Sequence, residues 1–154
     1  MSNYTFEIKT SSDLLRKLEK DFVEFGAHHM SSSKALNCAM SAWHLTDWVH
    51  HERAKDKSGP ARSTFQKRIA ATHNFLALMH DVANGGKHLG LSNPKTKVQS
   101  SYAVPGSHDL SHGYADHDVA RLVLNDGQTE WIFLVELEKA VNFWRVNLCV
   151  LNVD

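Results

Sequence analysis

Leu15, Leu18, Phe22 and Phe25 recur at the three- and four-residue spacing of a helix with one apolar face, which predicts a first helix over about residues 12–25. Thr10, Ser11 and Ser12 stand before it and offer capping hydroxyls. Upstream, Tyr4–Lys9 (YTFEIK) alternates apolar and polar residues, as a short strand would. The segment GAHHMSSS breaks the helical pattern, and its serines can cap a second helix over about 33–53. Leu36, Met40 and Trp43 define that helix's buried stripe. The charged turn AKDKSGP follows. Pro60, at a first-turn position that tolerates it, opens a third helix predicted to run unbroken to about residue 84. Phe65, Ile69, Leu76 and Ala83 mark its core side, and Gly85-Gly86 is expected to end it in a left-handed cap.

From Gly90 to Asp118 the periodicity dissolves into Pro, Gly, Ser and His, apart from VQSSYAV, which has the composition of a strand. In ARLVLNDGQTEWIFLV two β-branched runs flank Asn125-Asp126-Gly127, predicting a hairpin over about 119–135 with a tight turn. Leu137, Val141, Trp144, Leu148 and Leu151 then mark a last amphipathic helix over about 136–151. The chain has no internal repeat. The expected architecture is mainly α: a four-helix up-and-down bundle, one domain over 1–154, with a small antiparallel hairpin or sheet inserted before the last helix.

Composition changes this picture little. With 154 residues the chain is long enough to bury a core without staples, and 42% hydrophobic and 22% charged residues are ordinary for a globular protein. Lys and Arg balance Asp and Glu at 17 each, so no global basic field advertises nucleic acid and no polybasic run advertises a membrane. No apolar run of membrane-spanning length occurs and no signal peptide opens the chain, so the expected location is the cytoplasm. Cys38 and Cys149 fall inside apolar helical patterns and are expected to be buried free thiols. The eleven histidines are the compositional anomaly.

Several of these histidines sit where Leu would pack better. At 100° per residue, Asp47 and His51 lie within about 20° of Met40, and His44 about 40° away. By the same arithmetic His80 lies about 20° from Ile69 and His73 about 40°. These groups are therefore expected to face inward. The short turn between the second and third helices makes them antiparallel neighbours, so one cluster is expected from His44, Asp47, Arg68 and His73. Its structural version is an ion pair of Asp47 with Arg68 or a histidine tying two helices together. Its functional version makes Asp47 orient a histidine that works as general acid or base.

Arg68–His73 (RIAATH) has the R-x4-H spacing of HEPN-domain ribonucleases and resembles that family. The resemblance implies a small helical bundle, usually dimeric, of the toxin or defence type. It also implies metal-independent RNA cleavage, with His73 in acid–base work and Arg68 stabilising the charged transition state. On a regular helix the two side chains project about 140° apart, so one phosphate would need Arg68 of one copy and His73 of another. Position 69 is Ile, where that family usually carries a polar residue. Over most of its length, through AWHLTDW, DVANGGKHL and the late FWR, the chain also resembles a set of short, uncharacterised bacterial proteins. That resemblance implies a shared framework role for His44, Asp47, Trp48, Asn84, Lys87 and His88.

Asn84, Lys87 and His88 make a second cluster at the end of the third helix. They can serve as local capping groups, or with the amides of Gly85 and Gly86 as an anion or phosphate site. The loop SHDLSHGYADHD offers His108, His112 and His117 with Asp109, Asp116 and Asp118 as zinc-type ligands, without the paired spacing of a structural site. A metal held by His44, Asp47 and His73 is a further arrangement of the same chemistry, and it lacks the Glu-x-x-His pairs of di-iron bundles. The catalytic set expected from sequence is thus Arg68, His73, His44 and Asp47, the ligand-binding set Asn84, Lys87 and His88, with no metal and no cofactor required. The leading expectation is a HEPN-like protein that binds or cleaves RNA, a homodimer with no membrane association and room for a protein partner. The alternatives are a non-catalytic binding or regulatory helical module and a small metal-dependent enzyme.

Overall fold

Helix α1 (Ser11–Ala27) starts where Thr10 and Asp13 exchange hydrogen bonds in a capping box. The computed structural model describes residues 6–87, 98–104 and 121–154, together with the backbone but not the side chains of residues 86 and 87. Asp13 accepts from the amides of Lys9 (3.0 Å) and Thr10 (2.9 Å), and these bonds, that of Lys9 foremost, hold its carboxyl below the usual carboxylate range. The predicted strand does not form in its described part. Phe6 takes a left-handed φ of 56° and residues 6–9 are turn and coil, so alternation of apolar and polar residues alone did not make a strand here.

Helix α2 (Ser32–Arg53), capped by Ser31, contacts α1 and every later helix. Its deepest face is built from small residues: Ala35, Cys38, Ala39 and Ala42 are at most 5% exposed. Leu45 and Val49 continue that face, also at 0%. Leu36 and Met40, expected to be the core stripe, are only half-buried, whereas Trp43 is buried. Small side chains let neighbouring helices approach closely, so the inward face follows the alanines and not the bulkiest apolar residues.

The predicted third helix is two helices. Helix α3 (Gly59–Thr72) is capped by Ser58 and carries Pro60 in its first turn; helix α4 spans Asn74–Lys87. The break falls at His73, whose backbone turns out of helical angles (φ −128°, ψ 93°). His73 closes α3 by donating its amide to Ile69 O (2.9 Å), and its carbonyl accepts from Leu76 N (2.9 Å) to open α4. Neither Pro nor Gly marks the site. Thr72, His73 and Asn74 are all weak helix formers, and Thr72 Oγ1 bonds back to Arg68 O (2.9 Å). Helix α4 buries Leu76, Ala77, Leu78 and Met79 consecutively. It continues through Gly85 and Gly86, and the positive-φ glycine among the described residues is Gly127, so the expected left-handed cap at 85–86 is absent.

Strands β1 (Ser100–Val104), β2 (Arg121–Asn125) and β3 (Glu130–Ile132) form an antiparallel sheet in that order, with Tyr102 opposite Val123 and Val123 opposite Ile132. The turn lies where Asn-Asp-Gly predicted it: Gly127 adopts φ 93°, and Asp126 Oδ1 accepts from the amides of Gln128 (2.9 Å) and Thr129 (2.7 Å). β3 runs directly into helix α5 (Phe133–Asn147), which begins and ends earlier than predicted, although Leu148 remains buried beyond it. Cys149, expected to be buried, is exposed past the helix end, while Cys38 is buried in α2 and its thiol is pushed up to about 12, chiefly by desolvation. The described chain is therefore mainly helical, with a small antiparallel sheet before the last helix, and no described helix is long and apolar enough to cross a membrane.

Trp144 joins α5 to α2. Its ring is fully buried and its Nε1 donates to Ala42 O at 2.9 Å. Trp144→Phe is expected to lower unfolding free energy by about 2 kcal/mol, from the lost bond and lost packing. Ala39→Leu is expected to lower it by about 1–3 kcal/mol through overpacking. Urea unfolding followed by far-UV circular dichroism measures both; a neutral Ala39→Leu would contradict the close packing of α2.

Candidate functional site

The four residues predicted to form a catalytic cluster lie in four separate environments. His44 is exposed, on the outward stripe of α2 with Asn37 and His51, because the small-residue face rotates this side of the helix away from the core. It borders a shallow groove of about 370 Å³ together with Trp48, Met40 and Lys17. Asp47 is about one-third exposed and takes Gln66 Nε2 at 3.0 Å, with the Arg62 guanidinium 3.4 Å away. Its partners are thus Gln66 and Arg62, not Arg68 or a histidine.

Arg68 points to the end of the chain. Its Nη1 donates to Asp154 O (2.9 Å) and its Nη2 to Asn152 O (2.7 Å). His73 instead packs among aromatic rings, 4.6 Å from Phe143 and 5.4 Å from Phe75. Desolvation among them holds its imidazole below the usual histidine value. No metal-ligand group of three His, Cys, Asp or Glu side chains exists among the described residues. The loop histidines 108, 112 and 117, with Asp109, Asp116 and Asp118, lie outside the described residues.

The inward polar groups are others. His80 does turn inward, and its Nδ1 lies 2.8 Å from Oδ1 of Asp81, whose side chain is fully buried. The ring of His80 meets Trp43 edge-on at 4.7 Å. His50, 2% exposed, stacks near Phe65 at 5.7 Å. Asp81 and His50 were not singled out from sequence. The available signal was their position beside apolar helical residues, and it required knowing which face of each helix was buried.

Asp81 also lines a large cleft, an open space of about 940 Å³. The start of α2 (Ser32, Ala35), the last turns of α4 (Val82, Gly85), β1 and β2 bound it, and Phe133 closes one side. Its size lies at the upper end of small-molecule sites. The walls are mostly apolar, relieved by Ser32, Gln99, Ser100, Ser101 and the Asp81 carboxylate, and the described lining carries no Lys, Arg or His. Asn84, half-buried, precedes the cleft residue Gly85, and the α4 backbone carries Lys87 to the same end of the helix. His88 lies outside the described residues. Because α4 continues through Gly85 and Gly86, their amides serve the helical ladder and do not form the anion nest expected of them.

No protein-family model matches the chain, and neither a curated protein nor a solved structure shows significant similarity to it.

The desolvation of His73 has a measurable consequence. Its folded value is lowered, so its contribution to stability is complete above the unfolded value near 6.5 and is lost as pH falls below it, levelling once the folded protein also binds the proton. Thermal unfolding between pH 7.5 and 5 is expected to show this loss in the wild type and a shallower one in His73→Phe.

Proposed function

We propose that this chain is a ligand-binding module whose site is the cleft between the sheet and the facing ends of α2 and α4. The observation that carries the reading is the lining: a large, apolar-walled space with a few hydroxyls and no basic side chain among its described residues. Such a lining favours an uncharged, largely apolar small molecule over an anion, because nothing described there would offset a negative charge. Asn84, which precedes the cleft residue Gly85, and Lys87 and His88, which follow it in sequence, remain ligand-binding candidates. Three of the four predicted catalytic residues act as structural ties in this reading: Asp47 joins α2 to α3, Arg68 holds the segment Asn152–Asp154, and His73 caps two helices. The mutual contacts of α1, α2, α4 and α5 support an up-and-down four-helix arrangement, with α3 as an added brace.

The neutral apolar dye N-phenyl-1-naphthylamine is expected to brighten on binding the wild type. Val82→Trp, which fills the cleft, should abolish that signal at unchanged melting temperature, and Arg68→Ala and His73→Ala should keep it. Equal dye binding by wild type and Val82→Trp would remove the basis of the reading.

A HEPN-like endoribonuclease of the toxin or defence type, cytoplasmic and dimeric, is the second reading. One observation favours it. Desolvation among Phe75 and Phe143 holds His73 below the usual histidine value, which favours the unprotonated ring a general base needs, and Arg68 is an exposed cation five residues before it. Here the working unit is a homodimer that pairs Arg68 of one copy with His73 of another. Overexpression in cells reads it out: RNA is degraded by the wild type and spared by His73→Ala and by Arg68→Gln. RNA left intact by all three, at equal protein levels, would contradict it.

A further inference from the structure

The region from the end of α2 into α3 departs from the chain's overall neutrality. Arg53, Lys55, Lys57, Arg62, Lys67 and Arg68 are all exposed there, and the acids between residues 52 and 68 are Glu52 and Asp56. Both acids are engaged: Glu52 takes the amide of Ser11 at 2.6 Å, and Asp56 that of Ser58 at 2.8 Å. Three of the six cations converge on one object, the segment Leu148–Asp154. Arg53 Nη1 donates to Leu148 O (2.9 Å), and the two ends of the Arg68 fork hold Asn152 O and Asp154 O. The Lys55 amide holds Asp154 Oδ1 (3.1 Å), with the Lys55 ammonium 3.6 Å from Oδ2.

The segment offers these donors what an oxyanion offers: main-chain oxygens in a row and one carboxylate. Its hold is shallow. Lys55 is 92% exposed and the Asp154 side chain 46%, so water screens that pair, and Val153 is the buried anchor beyond Leu148. A chain of phosphates would satisfy the same donors with full charges. The Arg fork matches two non-bridging phosphate oxygens, and the exposed Lys57 and Lys67 add positive charge beyond the three, while Arg62 is paired with Asp47.

We propose that Arg53, Lys55 and Arg68 form an anion site for the phosphate backbone of a single-stranded nucleic acid, with residues 148–154 as its built-in, displaceable occupant. Phosphates rather than an acidic peptide are the favoured ligand, because the two-pronged donation of Arg68 suits paired non-bridging oxygens and the exposed Lys57 and Lys67 stand near it in sequence for further phosphates. The cleft does not enter this inference, which stands or falls separately from the ligand-binding reading.

Displacement makes two linked predictions. For a segment seated about nine times in ten, unlatching it raises apparent affinity roughly tenfold. Val153→Ser, which removes the anchor, is therefore expected to bind a fluorescein-labelled U20 oligonucleotide about tenfold more tightly than wild type by anisotropy at low salt. Arg68→Gln added to Val153→Ser should return binding to wild-type level or below. In the full-length wild type, saturating U20 should raise amide hydrogen exchange in residues 148–154, a readout independent of whether Val153→Ser folds well. Binding of U20 with exchange in 148–154 unchanged would overturn the proposal, as would absence of U20 binding by wild type and variant alike. Equal displacement by polyglutamate would overturn the assignment to phosphate and assign the site to acidic peptides.

Discussion

The close packing of α2 on its small-residue face is the constraint on which the rest depends. Ala35, Cys38, Ala39 and Ala42 bring the backbone of α2 near its neighbours, close enough that a tryptophan on α5 bonds directly to one of its main-chain carbonyls. A helix approached on several sides needs side chains that fill little space, and larger ones would hold the neighbours apart. Once this face is turned inward, His44 and His51 must be turned outward by the geometry of the helix. The outward histidines and the inward alanines are two consequences of one rotation.

The chemistry follows the same rotation. A site built on His44, Asp47, Arg68 and His73 needs α2 and α3 to face each other through these side chains. They meet instead through Asp47, Gln66 and Arg62, while Arg68 reaches the C-terminal segment and His73 sits among phenylalanines. Among the polar groups turned inward, His80 and Asp81 lie on α4 and His50 on the last turn of α2. A buried carboxylate beside an imidazole is costly without compensation, and the pair at 2.8 Å supplies part of it. The large cleft opens beside Asp81, between the sheet and the facing ends of α2 and α4.

His73 shows how one residue can serve two local roles. Its amide ends one helix and its carbonyl begins the next, so the ring is carried off the axis of both and into the aromatic cluster with Phe75 and Phe143. The change of direction leaves α3 as a peripheral, cation-rich element and sends α4 into the core. The segment Leu148–Asp154 then reaches back over the α2–α3 junction, where Arg53, Lys55 and Arg68 supply donors from both sides of the turn. Charge that is balanced over the whole sequence is thereby concentrated on one part of the surface.

By itself, the sequence determined what is local. Periodicity located α1, α2 and α5 to within a few residues, Asn125-Asp126-Gly127 located the hairpin turn, and Ser58 with Pro60 located the start of α3. Each of these signals acts through bonds between neighbours along the chain, and each was legible before any fold was known. The tertiary structure decided what depends on distant contacts. It chose the alanine face of α2 over the bulkier one, broke the long helix at His73 where neither Pro nor Gly stands, and exposed Cys149. It also gave Asp47, Arg68 and Asp81 their partners. Burial belongs to no single segment: whether a polar side chain faces protein or water is settled by the elements that arrive from elsewhere in the chain.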